Sequence, residues 1–262
     1  MLDTVRAGDI TMLHSSPDTA TYRPVLFVHG YFVDGSIWTN WLERFAAHGV
    51  PAFAVNLRGR AGSRPGIDLG SSSIDDFADD ASAAAREIGA AAVVGHSMGG
   101  LIAQKLAERR DVDAAVLITP APPRGISVLS PRVAFRQLRY MPAVLRSRLV
   151  RPGHEDLRAL TMNRVPPSEQ KALLDATIPD SGRAGREMSI TGVPIDAALV
   201  RCPMLVVAGE DDHFIPARIV KRIAQRYGAE LDIARDHGHM IIAEPGWAQL
   251  ADRVEEWLRQ HA

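Results

Sequence analysis

The sequence predicts an α/β fold: a mostly parallel twisted sheet with helices on both faces. Short, continuously apolar runs alternate along the chain with segments of helical apolar spacing. Those apolar runs lack the polar alternation of a half-solvated strand, so they suit strands covered on both sides, as in parallel sheets. The chain has 262 residues, 46% of them hydrophobic and 23% charged, enough to bury a large core without disulfide staples.

Taken in order, residues 9–14 read as an antiparallel edge strand, and residues 24–28 as the first buried strand, ending at His29-Gly30. Trp38, Trp41, Leu42 and Phe45 recur at helical spacing, and Gly49 stops that helix. Residues 51–55 form the second buried strand. Ile74, Phe77, Ala78, Ala81, Ala85 and Ile88 make a helical stripe. Asp75, Asp76, Asp79 and Asp80 crowd its N-terminal half and Arg86 sits near its end, the polarity a helix dipole favours. These four carboxylates read as a solvated helix face, not a metal site. Strands at 91–94, 112–118, 204–208 and 230–234 follow, with helices at 101–109, 217–227 and 247–260.

Residues 120–200 break the rhythm. They hold no convincing buried strand, ten of the 17 prolines and several short helical patterns. A structureless loop of that length is improbable, so an inserted helical cap is expected, dividing a core of 1–119 and 201–262. The insertion carries eleven arginines and one lysine against seven acids.

Overall, 30 basic residues face 31 acidic ones, which leaves no basic excess for nucleic-acid phosphates. Three lysines against 27 arginines, with abundant alanine, reflect a coding bias and not a binding code. One cysteine, Cys202, excludes an intrachain disulfide and suits a reducing compartment. Residues 1–6 lack the apolar stretch of a signal peptide, and no apolar run approaches membrane-spanning length. The expectation is a cytoplasmic protein without a membrane span.

Gly95-His96-Ser97-Met98-Gly99 sits between a predicted strand and a predicted helix. A serine there occupies a strained strand-to-helix turn, and the flanking glycines let strand and helix cross closely. The turn lifts the Ser97 hydroxyl above the sheet. It also puts the Met98 amide at a helix N-terminus, where it stabilises an oxyanion.

With this elbow the chain resembles the α/β-hydrolase superfamily, in its Ser-His-Asp branch with a helical cap, over about residues 24–258. The resemblance implies a triad in chain order Ser, acid, His. Its acid setting matches Gly209-Glu210-Asp211-Asp212-His213-Phe214-Ile215-Pro216 at Asp212, with Asp211 and Glu210 as neighbouring alternatives. The other acid position used in the family reads Ile118-Thr119-Pro120, with no carboxylate. Its Gly-His pair falls on Gly238-His239, making His239 the general base and leaving His237 to support the loop. The alternative, metal binding by His237 and His239, lacks further ligands beyond Asp236.

His29-Gly30-Tyr31 resembles the family's oxyanion loop, which implies the Tyr31 amide as partner to that of Met98. His29 reads as structural, and His96 as packing beside the elbow. Residues 56–63, Asn-Leu-Arg-Gly-Arg-Ala-Gly-Ser, resemble a structural loop of the family but depart from it at Asn56, Arg60 and Ala61. Ala61 replaces a glycine able to adopt left-handed backbone.

A serine nucleophile implies an acyl-enzyme and esters as default substrates, without cofactor or metal. Lactones, thioesters and carbon–carbon bonds of diketone-like substrates are the alternatives on the same triad, and a non-catalytic ligand receptor is the alternative of another class. Phe32, Phe214 and Met240 flank the implied site, and Phe135, Tyr140 and Met141, with Leu138 beside them, lie in the insertion. Phe32, Phe214, Met240, Phe135, Tyr140 and Met141 are expected to line a mostly apolar pocket for a small-molecule ester.

Overall fold

Eight strands form one sheet in the computed structural model, which describes residues 2–128 and 131–262. The chain enters through β1 (Leu2–Ala7), β2 (Ile10–Ser15), β3 (Val25–Val28), β4 (Ala52–Val55), β5 (Ala92–His96) and β6 (Ala114–Ile118). A separate two-stranded ribbon, β7 (Leu149–Val150) and β8 (Asp180–Ser181), precedes β9 (Met204–Gly209) and β10 (Glu230–Ala234). The sheet order is β1-β2-β4-β3-β5-β6-β9-β10. Pairing is antiparallel for β1–β2 and β2–β4 and parallel from β4 to β10. The α/β expectation with a mostly parallel sheet therefore holds. β2 is not the edge, however, because β1 pairs outside it from Leu2↔Ser15 to Ala7↔Ile10. β1 gives no sequence signal, since only Ala7 of its six residues is buried.

Side chains alternate faces along each strand. Val25 and Phe27 therefore join one core layer with Trp38, Trp41 and Phe45, while Leu26 and Val28 join the other with Ile74, Phe77 and Leu101. The first layer is covered by α1 (Thr39–Ala47), and the second by α2 (Ile74–Ile88) and α3 (Met98–Arg109). Phe27 and Phe45 meet edge to face at 5.0 Å between centroids, a favoured aromatic geometry.

α2 begins with a reciprocal capping box between Ser73 and Asp76 and ends on Gly89 at φ 61°. Its carboxylates are not simply a solvated face. Asp80 is fully buried and takes hydrogen bonds from Arg58 Nε at 2.8 Å and Arg64 Nε at 2.7 Å. Asp80 reads as solvated in the sequence because helical spacing alone does not show its partners, Arg58 and Arg64, in the loop after β4.

Between β6 and β9 the chain leaves the sheet through α4 (Pro131–Gln137), α5 (Met141–Leu145), α6 (His154–Thr161), α7 (Pro167–Asp175) and α8 (Gly182–Arg186). Past β9, α9 (Ala217–Tyr227) joins the layer of α2 and α3, and α10 (Trp247–His261) joins that of α1. No helix among the described residues is long and apolar enough to cross a membrane.

Candidate active site

β5 runs directly into Ser97, whose φ of 56° and ψ of −115° are strained for any residue but glycine, and α3 starts at the next residue. The crossing is close. A Cβ on Gly95 would stand 2.1 Å from the Gly99 carbonyl, and one on Gly99 would stand 2.1 Å from the Val28 carbonyl. Only glycine is compatible with both positions. The turn is held by Ser97 N–H to the Ile118 carbonyl at 3.0 Å and by Ala121 N–H to the Ser97 carbonyl at 2.9 Å.

Two loops beyond parallel strands bring side chains to this serine. Asp212 follows β9, and His239 follows β10. His239 Nε2 lies 3.1 Å from Ser97 Oγ, and its Nδ1 lies 2.8 Å from Asp212 Oδ2. The other Asp212 oxygen accepts from the amides of Phe214 at 2.7 Å and Ile215 at 2.8 Å, which aims the carboxylate at the imidazole. All three side chains are buried.

The neighbouring candidates have other partners. Asp211 ion-pairs with Arg164, and its carbonyl accepts from Asn163 Nδ2 at 2.9 Å. Glu210 is exposed. His237 Nδ1 faces Glu244 at 3.3 Å, so the two loop histidines serve different carboxylates. Among the described residues no group of three or more side chains is placed to hold a metal ion.

The His239 backbone is itself held. Its carbonyl accepts from His96 Nε2 at 2.9 Å and from Thr119 Oγ1 at 3.2 Å. Burial above all pushes the His96 pKa down to about 3, so the ring is neutral and donates through Nε2. Thr119 and Asn163 carry no chemical signal in the sequence, because each acts on backbone from a distant position, and Glu244 carries none because its partners are the Gly238 amide and the ring of His237.

His29 is structural. Its Nδ1 donates to the Gly30 carbonyl at 2.8 Å, its Nε2 accepts from Leu57 N–H at 3.3 Å, and burial holds its pKa well below the ordinary histidine value. Among the described residues, the Tyr31 and Met98 amides have no protein acceptor. Phe32 takes a φ of 69°, and its amide donates to Asp180 Oδ2 at 2.8 Å. The Tyr31 hydroxyl donates to the Ser181 carbonyl. Burial, reinforced by Asp180, holds that hydroxyl's pKa well above the usual tyrosine value.

Ser97 and His239 open on a cavity of about 520 Å³. Phe32, Phe214, Met240, Tyr140 and Met141 line it, as do Leu157, Leu160 and Met188. Phe214 meets His239 edge to face at 5.1 Å. Polar residues interrupt the apolar lining, among them Asp156, which accepts from Tyr140 Oη at 2.6 Å and Arg136 Nη1 at 2.9 Å. Burial raises that carboxyl's pKa, but the two hydrogen bonds and the charges of Arg139 and Arg136 outweigh it, so the pKa falls below the usual range.

Phe135 does not line the cavity. It is 75% exposed on α4, where Val133, two residues earlier, is the buried one. Residues two apart on a helix point to nearly opposite sides.

The family model described as "Alpha/beta hydrolase family" matches residues 25–253. Over 264 aligned residues the chain is 25% identical to the monoacylglycerol lipase of Mycolicibacterium smegmatis, covering 94% of this chain and 91% of that protein. It is 27% identical over 245 residues to the non-heme chloroperoxidase CPO-A1 of Kitasatospora aureofaciens, covering 86% and 87% respectively. In three dimensions it resembles a thermophilic esterase from Thermogutta terrifontis with a TM-score of 0.73, 22% identity and full coverage of both chains. That last likeness is one of fold.

Proposed function

Because the chain belongs to the alpha/beta hydrolase family, we propose that it is a serine hydrolase cleaving carboxylic esters through an acyl-enzyme. The observation that carries this reading is the hydrogen-bonded series Ser97 Oγ, His239 and Asp212, at 3.1 and 2.8 Å, opening on a largely apolar cavity. Binding alone needs no such series.

In this reading His239 takes the Ser97 proton as Oγ attacks the ester carbon. Asp212 holds the imidazole with Nε2 toward serine and stabilises the imidazolium. The carbonyl oxygen becomes an oxyanion beside the Tyr31 and Met98 amides, whose hydrogens are otherwise uncommitted. The tetrahedral intermediate collapses, and the alkoxide leaves with the proton from His239. A water, deprotonated by His239, then attacks the acyl carbon and frees Ser97. The cavity volume suits a small-molecule ester with an apolar portion. The insertion, residues 120–200, acts as the cap that roofs it.

The test is labelling by a fluorophosphonate, with a panel of short- to long-chain nitrophenyl esters, lactones and thioesters. The expected result is labelling and ester turnover that both vanish in Ser97→Ala. Folded wild-type protein that takes no label and turns over no ester would overturn the reading.

A further inference from the structure

We propose that Asp180, anchored by Arg60, is a positioning residue for the oxyanion loop, so the insertion takes part in the chemistry as well as covering the cavity. This rests on the serine-hydrolase reading above. Phe32 is a bulky residue in left-handed backbone, at φ 69°. Such a conformation persists only where the surroundings over-determine it. Here the determinants come from the insertion. The Phe32 amide donates to Asp180 Oδ2 at 2.8 Å, and the Phe32 carbonyl accepts from Ile178 N–H at 2.9 Å. The adjoining Tyr31 is tied through its hydroxyl to the Ser181 carbonyl. Both sides of the Phe32 turn are therefore gripped by residues 178–181, and the turn sets the direction of the preceding Tyr31 amide.

Arg60 gives this grip its charge balance. The Arg60 and Asp180 side chains are wholly buried, with Nη2 and Oδ2 2.5 Å apart. Arg60 Nε also donates to the Val33 carbonyl at 3.3 Å, and its guanidinium lies 4.8 Å from the Phe77 ring centre. A lone carboxylate so near the oxyanion loop would oppose the negative charge that forms there. Paired with Arg60 it adds no net charge, yet it remains a strong acceptor for an amide. A buried ion pair is poor evidence for stability, since an apolar pair of similar size often does as well. A directional bond to Phe32 N–H is something an apolar pair cannot supply. Arg60 stands at one of the positions where the sequence departs from the loop pattern it resembles.

The experiment compares wild type, Asp180→Ala, Asp180→Asn and Glu187→Gln. The readouts are kcat and KM on a short nitrophenyl ester, the affinity of an alkyl boronic acid, and thermal unfolding. The boronate forms a tetrahedral adduct on Ser97 whose oxygen needs the same amides as the transition state. Asp180→Ala should lower kcat about 10²-fold and weaken boronate binding in parallel, with KM nearly unchanged. Asp180→Asn, which keeps one acceptor for Phe32 N–H, should recover part of both. Glu187 caps the Ile74 amide at 2.8 Å, another tie between insertion and core, so Glu187→Gln should lower thermal stability while leaving kcat and boronate affinity alone. If Asp180→Ala does not fold, Asp180→Asn decides the matter by a matched loss of kcat and boronate affinity. Unaltered kcat and boronate affinity in a folded Asp180 variant would overturn the proposal. Wild type that neither labels nor turns over ester would instead overturn the serine-hydrolase reading on which it stands.

Discussion

Replacing Gly209 with alanine drives a wedge between the two loops that carry Asp212 and His239. Gly209 ends β9, three residues before Asp212, and packs against the backbone just before His239. The added Cβ would lie 2.2 Å from the Gly238 carbonyl oxygen and 2.8 Å from that of His237. Carbon and carbonyl oxygen settle no closer than about 3.3 Å, so one loop must retreat by about 1 Å. Both obstacles are backbone, and no side-chain rotation relieves them. The loops are also sewn together by Asp211 N–H to the His237 carbonyl at 2.9 Å, so the shift reaches the site directly. Lengthening the 2.8 Å bond between His239 Nδ1 and Asp212 by about 1 Å takes it out of hydrogen-bonding range. A displacement of that size costs about 10²-fold in kcat/KM, or about 2.7 kcal/mol in the barrier. Overpacking costs a further 1–3 kcal/mol or so of stability. The assay is kcat/KM on a nitrophenyl ester, with circular dichroism to show that the variant is folded. A folded Gly209→Ala enzyme within about threefold of wild type would refute the reasoning, since it would mean that Asp212 and His239 tolerate displacement.

Three further outcomes are expected. Asp212→Asn should lower kcat by about 10³–10⁴ and Asp211→Asn by less than about tenfold, because Asp211 faces Arg164; the reverse ranking would reassign the acid. Phe135→Ser should leave KM for a long-chain ester within about twofold, since the ring lies outside the cavity. His96 titrates at about 3 in the folded protein against 6.5 ordinarily, so as pH falls the unfolded chain takes up the proton first. Its contribution to stability is present above about pH 6.5 and is lost between there and about pH 3, at up to about 1.4 kcal/mol per pH unit. Urea midpoints of His96→Gln should therefore fall less steeply with acid than those of wild type.

The parallel strands were legible because a strand buried on both faces must be apolar throughout, and residues 24–28, 51–55 and 204–208 are so. β1 was not, because a strand exposed along most of its length needs no apolar run. Ser97 and the Met98 amide were readable as local chemistry, a glycine-flanked turn between strand and helix. His239 and Asp212 needed family resemblance, since the contacts that distinguish them from His237 and Asp211 come from Glu244 and Arg164 elsewhere in the chain. Ala61 marked a departure from the loop pattern, and its φ of 45° shows left-handed backbone imposed on a residue that disfavours it. Arg60 marked another, but Asp180 carries no local signal: nothing in Ile178-Pro179-Asp180-Ser181 tells that its carboxylate will meet an amide 148 positions away.

The segment between β6 and β9 reaches each of the loops around Ser97. Each of three loops is tied to residues of that segment. The acid loop is held by Asn163 and Arg164 through Asp211. The histidine loop is held where Met240 N–H donates to the Thr161 carbonyl at 3.3 Å. The Tyr31–Phe32 loop, the proposed oxyanion loop, is held by Asp180 and Ile178 through Phe32. Loops at the ends of parallel strands are otherwise the most mobile parts of such a sheet, and a displacement of about 1 Å among reacting groups is costly. A module that merely covered the pocket would need contacts with the rim alone. On the proposed reading, ties to all three loops let the segment help set the distances among Ser97, His239 and the Tyr31 amide. On that reading, substitutions at the residues that make these three ties should lower kcat before they raise KM, whereas Glu187, which ties to α2 instead, should not.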